Sequence, residues 1–337
     1  MKRWGLFAAA ASLLGTGAMA GAQQCTTQSK MQTADRTALL RSATGIASAV
    51  QANDSNAVRQ QTLPDVAQNF AGIANAIASA APHLTGATFV PDTLWILDAR
   101  ASGPNAKPAD TQFFCNLNGG SQSTVFSFQA LPPGRYGLAV LDAPKAQPPY
   151  QLTLLLREES AGTWQLGGFF PRVTTAAGHD GIWYWKAART DAAKRQNWNA
   201  WLNYSEAERL LRPAAFVSSS HLEQLQEEQG KSAPAALSGG LGQGTPLIVK
   251  AKDGTEYRVT ALAPDDSLGG DRIDIAMHYS ADTIADPVAA RARNQRAAAA
   301  LLAAYPELRD DVHGVWVYAE PASGPPYVSE EPVSSLR

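Results

Sequence analysis

The sequence contains little of the material from which metal centres and thiol active sites are built. Its 337 residues include two cysteines and five histidines, and no Gly-x-Ser-x-Gly, His-Glu-x-x-His, phosphate-loop or Cys-x-x-Cys motif occurs. A metal site needs three or four converging ligands. The spacing of His278, His313, Asp310 and Asp311 brings no such set together, so they are interpreted as surface polar groups. We predict no metal and no cofactor, and these absences favour a protein without enzymatic activity.

Neither a strong charge of one sign nor a long apolar run follows the first residues. The 28 lysines and arginines nearly balance the 30 aspartates and glutamates, which leaves a formal net charge of −2. This balance excludes the basic surface that nucleic acid requires, so we expect no nucleic-acid partner. A membrane-spanning helix needs about 20 consecutive apolar residues. No later segment is that long, and no transmembrane segment is predicted.

The first 22 residues are typical of an export signal. Two basic residues precede a short apolar core at residues 5–14, and Ala-Met-Ala at residues 18–20 is a small-x-small cleavage site. Gln24 stands before Cys25, whereas a lipoprotein signal places a small residue before its cysteine. We therefore predict a soluble exported chain, periplasmic or extracellular, and the style of the signal resembles that of bacterial envelope proteins.

The two cysteines, Cys25 and Cys115, are expected to form a disulfide in an oxidising compartment. Such a bond would tie the new amino terminus to a strand and close a long loop, which stabilises the fold by about 4 kcal/mol on chain-entropy grounds. The alternative is a buried Cys115 that acts as a small apolar side chain beside a free Cys25.

Residues 23–172 show helical patterns followed by a run of strands. Apolar residues recur at helical spacing over residues 31–50 and 64–80. Short segments rich in β-branched and aromatic residues follow, each bounded by turn residues: 88–97, 111–116, 124–129, 135–141, 150–157 and 164–171. The pattern predicts an α+β domain that contains helices and an antiparallel sheet with one buried face.

Two family resemblances meet in this domain. Two helices followed by antiparallel strands that end in QLTLLLREESAGTWQLGGFFPR resemble the ketosteroid-isomerase-like (nuclear transport factor two-like) cone fold over residues 31–172. This resemblance implies a helix inside a curved sheet and an apolar pocket. The segment FSFQALPPGRYGLAV, residues 126–140, is similar to a strand pair of carboxypeptidase-regulatory-like β-sandwiches. The first accounts for the leading helices, and the choice between cone and sandwich stays open.

Residues 173–229 predict a helical hairpin packed on this domain. Four of the eight tryptophans, Trp183, Trp185, Trp198 and Trp201, lie in nineteen residues. The second helix, with Pro213 behind it, resembles one tetratricopeptide unit over residues 181–213, and one unit does not make a repeat array. The tryptophans have two interpretations. Large aromatic rings join a hairpin to a sheet as core, or they form an open platform for a sugar, a lipid edge or a partner helix.

His179 and Asp180 precede the first helix of the hairpin. A histidine beside an aspartate suits proton transfer, although adjacent residues point apart on most backbones. Asp180 is equally suited to cap the helix that follows, and we favour the cap. His179, with the four tryptophans, remains a candidate binding residue.

The remaining chain divides into a linker, a module and a tail. Residues 230–246 are rich in Gly, Ser, Ala and Pro, which predicts a flexible linker. Residues 247–319 predict a small β-β-β-α-β module, in which Asp253-Gly254 forms a hairpin turn. Residues 320–337 contain four prolines, which predicts a disordered tail.

The sequence favours an exported envelope protein that binds a ligand or a protein partner without catalysis. The expected partner is another envelope protein or a small apolar or glycan ligand, and nothing in the sequence sets the oligomeric state. The alternative is a secreted, metal-independent hydrolase or isomerase that uses a pocket in the cone-like domain. It requires at least two acidic or histidine side chains in that pocket.

Overall fold

A computed structural model describes residues 24–336 except 101, 102, 104, 105 and 269. The predicted signal, residues 1–22, lies outside the described residues. The architecture is α+β, as the sequence predicts: helices packed on an antiparallel sheet, then an aromatic-rich helical hairpin, then a small module of five strands and two helices.

The elements of the described chain are numbered in chain order. The α-helices are α1 Thr33–Gln51, α2 Ser55–Gln60, α3 Pro64–Ala67, α4 Ala71–Leu84, α5 Gly181–Ala193, α6 Asn197–Leu211, α7 Ser220–Ser232, α8 Pro287–Ala304 and α9 Leu308–Asp311. The strands are β1 Gln24–Thr27, β2 Val90–Asp98, β3 Ala109–Leu117, β4 Gln122–Leu131, β5 Arg135–Ala143, β6 Tyr150–Ser160, β7 Thr163–Val173, β8 Thr175–Ala176, β9 His179–Asp180, β10 Val217–Ser219, β11 Leu247–Lys250, β12 Glu256–Asp265, β13 Asp274–Ser280, β14 Gly314–Glu320 and β15 Tyr327–Pro332.

The amino-terminal sheet is antiparallel, has the order β1-β2-β5-β6-β7, and is covered on one face by α1 and α4. Helix α1 buries Leu39, Ala43, Ile46 and Val50, which recur every three or four residues along one stripe. These side chains meet aliphatic residues of β5, β6 and β7. The helix-facing side of the sheet is therefore a buried apolar core.

A second, three-stranded sheet covers the other face of the amino-terminal sheet. Its order is β10-β4-β3, and a core shared by both sheets contains Trp95 and Phe126, whose rings meet edge to face at 5.3 Å. The segment 126–140 passes from β4 in one sheet to β5 in the other. Three layers result, namely helices, a five-stranded sheet and a three-stranded sheet.

The predicted disulfide between Cys25 and Cys115 is confirmed and joins these two sheets. Cys25 lies on β1 of the amino-terminal sheet and Cys115 on β3 of the smaller sheet, 90 residues apart in sequence with their Cα atoms 5.4 Å apart. The chain start is thereby attached to both layers of the sandwich.

The helical hairpin of α5 and α6 shares its core with the carboxy-terminal module. Tyr184 and Trp198 on the hairpin belong to the same buried cluster as Val259, Met277 and Leu301 of the module. The sequence predicts that the hairpin packs on the amino-terminal domain. Its contacts with that domain include Arg172, whose guanidinium donates to the carbonyl of Leu210 at the end of α6. The opposed apolar faces of α6 account for this, because they require protein on two sides.

The carboxy-terminal sheet has the order β11-β12-β13-β14-β15, and only the β13–β14 pair is parallel. Helix α8 provides the crossover that a parallel pair requires. The prediction of a disordered tail over residues 320–337 is wrong in its central part. Strand β15 pairs antiparallel with β14, Glu331 and Leu336 are buried, and the backbone hydrogen bonds of the strand offset the cost of ordering a proline-containing segment.

Residues 230–246 connect the hairpin region to this module. They include the end of α7 and a short 3-10 turn at Ala235–Leu237, and Leu237 and Leu241 pack against the shared core. Elsewhere in this segment glycines predominate. No helix in the described ranges is long and apolar enough to cross a membrane.

Candidate functional site

A cleft of about 480 Å³ lies between α5 and the ends of β13 and α9, and we call it the α5 cleft. Its walls combine an aromatic pair, a group of carboxylates and two cationic side chains. The lining residues are His179, Trp183, Tyr184, Lys186, Ala187, Thr190, Asp191, Asn203, Asp271, Arg272, Ile273, Asp310 and Asp311. One side of the cleft thus comes from the hairpin and the other from the carboxy-terminal module.

The aromatic wall is an exposed indole supported by an imidazole. The rings of His179 and Trp183 stack with centroids 3.7 Å apart and planes 6° apart. Trp183 stays 44% exposed. Tyr184 packs edge-on against Trp183 at 5.0 Å, and its hydroxyl donates to the carbonyl of Ala176 at 3.0 Å. The indole face is held in place before any ligand arrives.

Local sequence places this platform at the amino terminus of α5. The side chain of Asp180 accepts a hydrogen bond from the backbone N–H of Trp183 at 2.8 Å, which confirms the predicted cap. Gly181 lets this end of α5 approach α6, because a Cβ there would lie 2.6 Å from Cγ of Leu211. The proton-transfer interpretation of His179 and Asp180 gains no support from this geometry, since Asp180 caps the helix and His179 stacks on Trp183.

The polar wall is a carboxyl pair bridged by an amide. Nδ2 of Asn203 donates to Oδ2 of Asp191 at 2.9 Å and lies 3.3 Å from Oδ2 of Asp311. Asp191 and Asn203 are each 7% exposed. Burial raises the pKa of Asp191, against the hydrogen bond from Asn203 and the charge of Lys194. Burial also raises the pKa of Asp311, and the charge of Asp191 adds to this. The pair holds a proton more readily than two exposed carboxylates do.

Three helices bring these groups together. Asp191 lies in the last turn of α5, Asn203 in the middle of α6 and Asp311 at the end of α9. The junction is fixed by Glu307, whose Oε1 accepts from the backbone N–H of Trp198 at 2.8 Å at the start of α6. The module therefore supplies the helix cap that the hairpin lacks in its own sequence.

The rim of the cleft carries both signs of charge. Lys186, Asp271, Arg272 and Asp310 are all exposed, and Nη1 of Arg272 donates to the carbonyl of Asp310 at 3.2 Å. Chemically, the cleft presents a flat aromatic face, an amide, several hydrogen-bond acceptors and two cationic donors.

Of the five predicted binding residues, the structure places His179 and Trp183 in the cleft. The indole nitrogen of the buried Trp185 donates to Oε2 of Glu228 at 2.8 Å. Trp198 is buried against Tyr305 with ring centroids 4.2 Å apart, and the half-buried Trp201 packs edge-on against Trp198 at 6.2 Å. These three tryptophans join helices and do not line the cleft.

Asp191, Asn203 and Asp271 of the cleft are not among the residues that the sequence predicts as binding residues. A usable signal was present in α5, where Trp183, Ala187 and Asp191 recur every four residues and place an acid on the same stripe as the exposed indole. Asn203 and Asp271 gave no such signal, because their place depends on how α6 and the module meet.

The grouping of potential metal ligands also differs from the prediction. His278 lies against Glu320, with Nδ1 and Oε1 2.7 Å apart, and stacks on Tyr318. His313 lies at the other end of these strands, beside Asp274 at the start of β13 and beside Glu330. Asp310 and Asp311 line the cleft instead.

Comparison of the chain with known protein families, with curated proteins and with solved structures finds no match in any of the three. The cone-fold, sandwich and tetratricopeptide resemblances therefore stay predictions.

Proposed function

We propose that the protein is exported to the bacterial envelope and binds a neutral, polyhydroxylated ligand, a sugar or a glycan segment, in the α5 cleft. One observation carries the proposal: the exposed, braced indole of Trp183 stands beside the buried acceptor group of Asp191, Asn203 and Asp311. A pyranose ring offers an apolar C–H face to the indole and hydroxyl donors to the carboxylates.

Other ligand classes fit this cleft less well. An anionic ligand would meet the carboxylates of Asp191, Asp271, Asp310 and Asp311, which outnumber Lys186 and Arg272. A purely apolar ligand would desolvate these carboxylates without giving them hydrogen bonds, which is unfavourable. A neutral ligand rich in hydroxyl groups avoids both costs, and the two cations of the rim can donate to its oxygens.

Export is supported by two features that are independent of the cleft. The leader at residues 1–22 has the three-part pattern of a signal peptide. The Cys25–Cys115 bond suits an oxidising compartment, where disulfides persist. The mass of the mature chain isolated from its source envelope tests this part, and an intact leader would contradict it.

Binding without catalysis is favoured by the hydrogen bonding of the acids. Asp191 and Asp311 are both engaged by Nδ2 of Asn203, at 2.9 and 3.3 Å. Glycoside hydrolysis instead uses two separate carboxyl groups that flank the scissile bond. A second candidate function rests on the same pair. Two carboxyl groups that share a proton can activate a water molecule for hydrolysis, as in aspartic proteases.

The test is calorimetric titration of residues 23–337 with fragments of glucan, chitin and xylan. We expect at least one fragment to bind, and the Trp183→Ala variant to bind it about tenfold more weakly, which corresponds to about 1.4 kcal/mol. Phe114→Ala is the matched control, since Phe114 is 63% exposed on β3 and lies outside the cleft.

Two outcomes would count against the proposal. If the folded protein binds none of the fragments, or if Trp183→Ala binds as tightly as the wild type, the sugar-binding assignment fails. If the fragments are shortened during incubation and Asp191→Asn abolishes that activity, the hydrolase becomes the correct function.

A further inference from the structure

Three side chains with metal-binding atoms meet at one end of the carboxy-terminal sheet. Asp274 opens β13, His313 stands immediately before β14, and Glu330 lies on β15. Nδ1 of His313 lies 3.2 Å from Oδ1 of Asp274 and 3.8 Å from Oε1 of Glu330. One ligand atom from each residue lies within 4.8 Å of the other two. Two strands and the residue that precedes a third therefore bring two carboxylates and an imidazole together.

A buried oxygen without a partner points into this group. Oε1 of Glu330 is inaccessible to solvent, and no donor in the described part of the chain reaches it. A buried carboxylate oxygen without a hydrogen bond is unfavourable. The same oxygen lies 3.8 Å from Nδ1 of His313. Oε1 of Glu330 is therefore available to accept a hydrogen bond from, or to coordinate, a group that lies between these side chains.

Gly314 makes the close approach of the two carboxylates possible. A Cβ at this position would lie 2.3 Å from Oε1 of Glu330 and 3.2 Å from Oδ1 of Asp274. Any larger residue would therefore push Glu330 out of the group. The missing side chain of Gly314 leaves room for Oε1 of Glu330 and Oδ1 of Asp274, which both lie near His313.

We propose that Asp274, His313 and Glu330 bind one divalent first-row transition-metal ion of the zinc type. Tetrahedral coordination at about 2.0–2.2 Å separates neighbouring ligand atoms by about 3.3–3.6 Å. The observed separations of 3.2 and 3.8 Å from Nδ1 of His313 bracket this range. The ion takes the place of the hydrogen bond between His313 and Asp274, and the imidazole that binds it through Nδ1 carries its proton on Nε2.

The donor set also selects the class of ion. Imidazole nitrogen suits zinc and its neighbours, whereas calcium prefers six to eight oxygen ligands and magnesium keeps an octahedral shell of oxygens. Asp274 is 2% exposed and His313 is 45% exposed in their side chains, so the ion has an inner ligand and an open path from solvent. Three protein ligands leave a fourth position for water.

This site goes beyond the sugar-binding proposal and does not depend on it. Its three ligands do not line the α5 cleft, although Ile273 and Asp311 of the cleft lie one and two residues from Asp274 and His313. The ion would join the last strand of the chain to β13 and β14 at the end of the sheet that faces the cleft.

The experiment is a Zn²⁺ titration of the mature chain, purified without a polyhistidine tag and stripped of metal with a chelator. We expect one Zn²⁺ to bind per chain, and the melting temperature to rise with the Zn²⁺ concentration. Ca²⁺ at the same concentration should produce neither effect. The His313→Ala and Glu330→Gln variants should each weaken Zn²⁺ binding at least tenfold.

One control tests whether Zn²⁺ binding is specific to this site, and a second tests whether the variants fold. His278→Ala removes a histidine that also faces a carboxylate on this sheet but lacks a third ligand, so its Zn²⁺ affinity should equal that of the wild type. Glu330→Gln keeps the size of the side chain, and circular dichroism shows whether each variant folds. If the wild type takes up no Zn²⁺, or if both ligand variants retain its affinity, the three residues form only an ion-paired cluster and the proposal is overturned.

Discussion

The indole nitrogen of Trp185 donates a hydrogen bond of 2.8 Å to Oε2 of Glu228, which joins α5 to α7. The same carboxylate accepts from Arg189 at 2.7 and 2.8 Å and from Gln224 at 2.9 Å. The hydroxyl of Tyr204 on α6 completes the group at 3.3 Å. The side chain of Glu228 therefore joins α5, α6 and α7 through hydrogen bonds.

Replacing Glu228 by glutamine should lower the free energy of unfolding by about 1–3 kcal/mol, because donors in a partly buried site lose a charged acceptor. Chemical denaturation followed by circular dichroism measures this difference. Glu227→Gln is the control on the same helix, since Glu227 is 66% exposed in its side chain and pairs with Lys231. Equal effects of the two substitutions would show that Glu228 has no special role.

The contribution of Glu228 should depend on pH in one direction. Hydrogen bonds from Arg189, Trp185 and Gln224 lower its pKa from 4.5 to about 2 in the folded protein, against the effect of burial. A lowered pKa means that the folded state binds the proton less readily than the unfolded chain, so this stabilisation is complete above pH 4.5. It is lost as the pH falls towards 2. The difference in stability between wild type and Glu228→Gln should shrink over that interval, and a constant difference would contradict the assignment.

Removing the disulfide by Cys25→Ser should lower the free energy of unfolding by about 4 kcal/mol on chain-entropy grounds, since the bond closes a loop of 90 residues. Cys25 is the position to change, because Cys115 is 1% exposed and its replacement would also disturb the core. When the wild-type protein is unfolded in the presence of a reductant, its denaturation midpoint should approach that of the Cys25→Ser variant. A variant whose midpoint matches the oxidised wild type would show that the bond constrains little.

Because the end of the chain is ordered, alanine substitutions at Leu336 and Val328 should differ greatly in how much they lower stability. Leu336 is 5% exposed, whereas Val328 on β15 is 38% exposed. Leu336→Ala should cost about 2–4 kcal/mol of stability because it leaves a cavity in the shared core. Val328→Ala should cost less than about 1 kcal/mol. Thermal or chemical unfolding distinguishes them, and a neutral Leu336→Ala would restore the idea of a disordered tail.

Gly314→Ala should weaken Zn²⁺ binding at least tenfold, because its methyl group would occupy the position that Oε1 of Glu330 approaches within 2.3 Å. Gly72→Ala on α4 is the matched control, since a Cβ there meets no atom within 4 Å. In a helix that control should be neutral or stabilising by about 0.5–1 kcal/mol. Unchanged Zn²⁺ affinity in the Gly314→Ala variant would argue that Glu330 is not a ligand.

Patterns among neighbouring residues predict most of the helices and strands, but they do not predict most of the residues that line the α5 cleft. Residues 150–171 alternate between apolar and polar side chains and contain turn residues, and this pattern predicts the β6–β7 hairpin. The prediction succeeds because alternation and short turns depend only on residues that are close in sequence. The predicted helix over residues 64–80 divides into α3 and α4, which shows the usual weakness at boundaries. Asn203 and Asp311, 108 residues apart, converge only through docking of the module on the hairpin.

The sequence by itself determined what short-range chemistry decides: the α+β class, the hairpin of α5 and α6, the cap at Asp180 and a disulfide that has one available pairing. The tertiary structure decided which tryptophan stays exposed, where the chain end goes and which acids meet. Trp183, Trp185, Trp198 and Trp201 have the same side chain, and their environments differ because burial depends on contacts between distant segments. His313 gains Asp274 and Glu330 as neighbours for the same reason, since strand order in a sheet is a property of the whole fold.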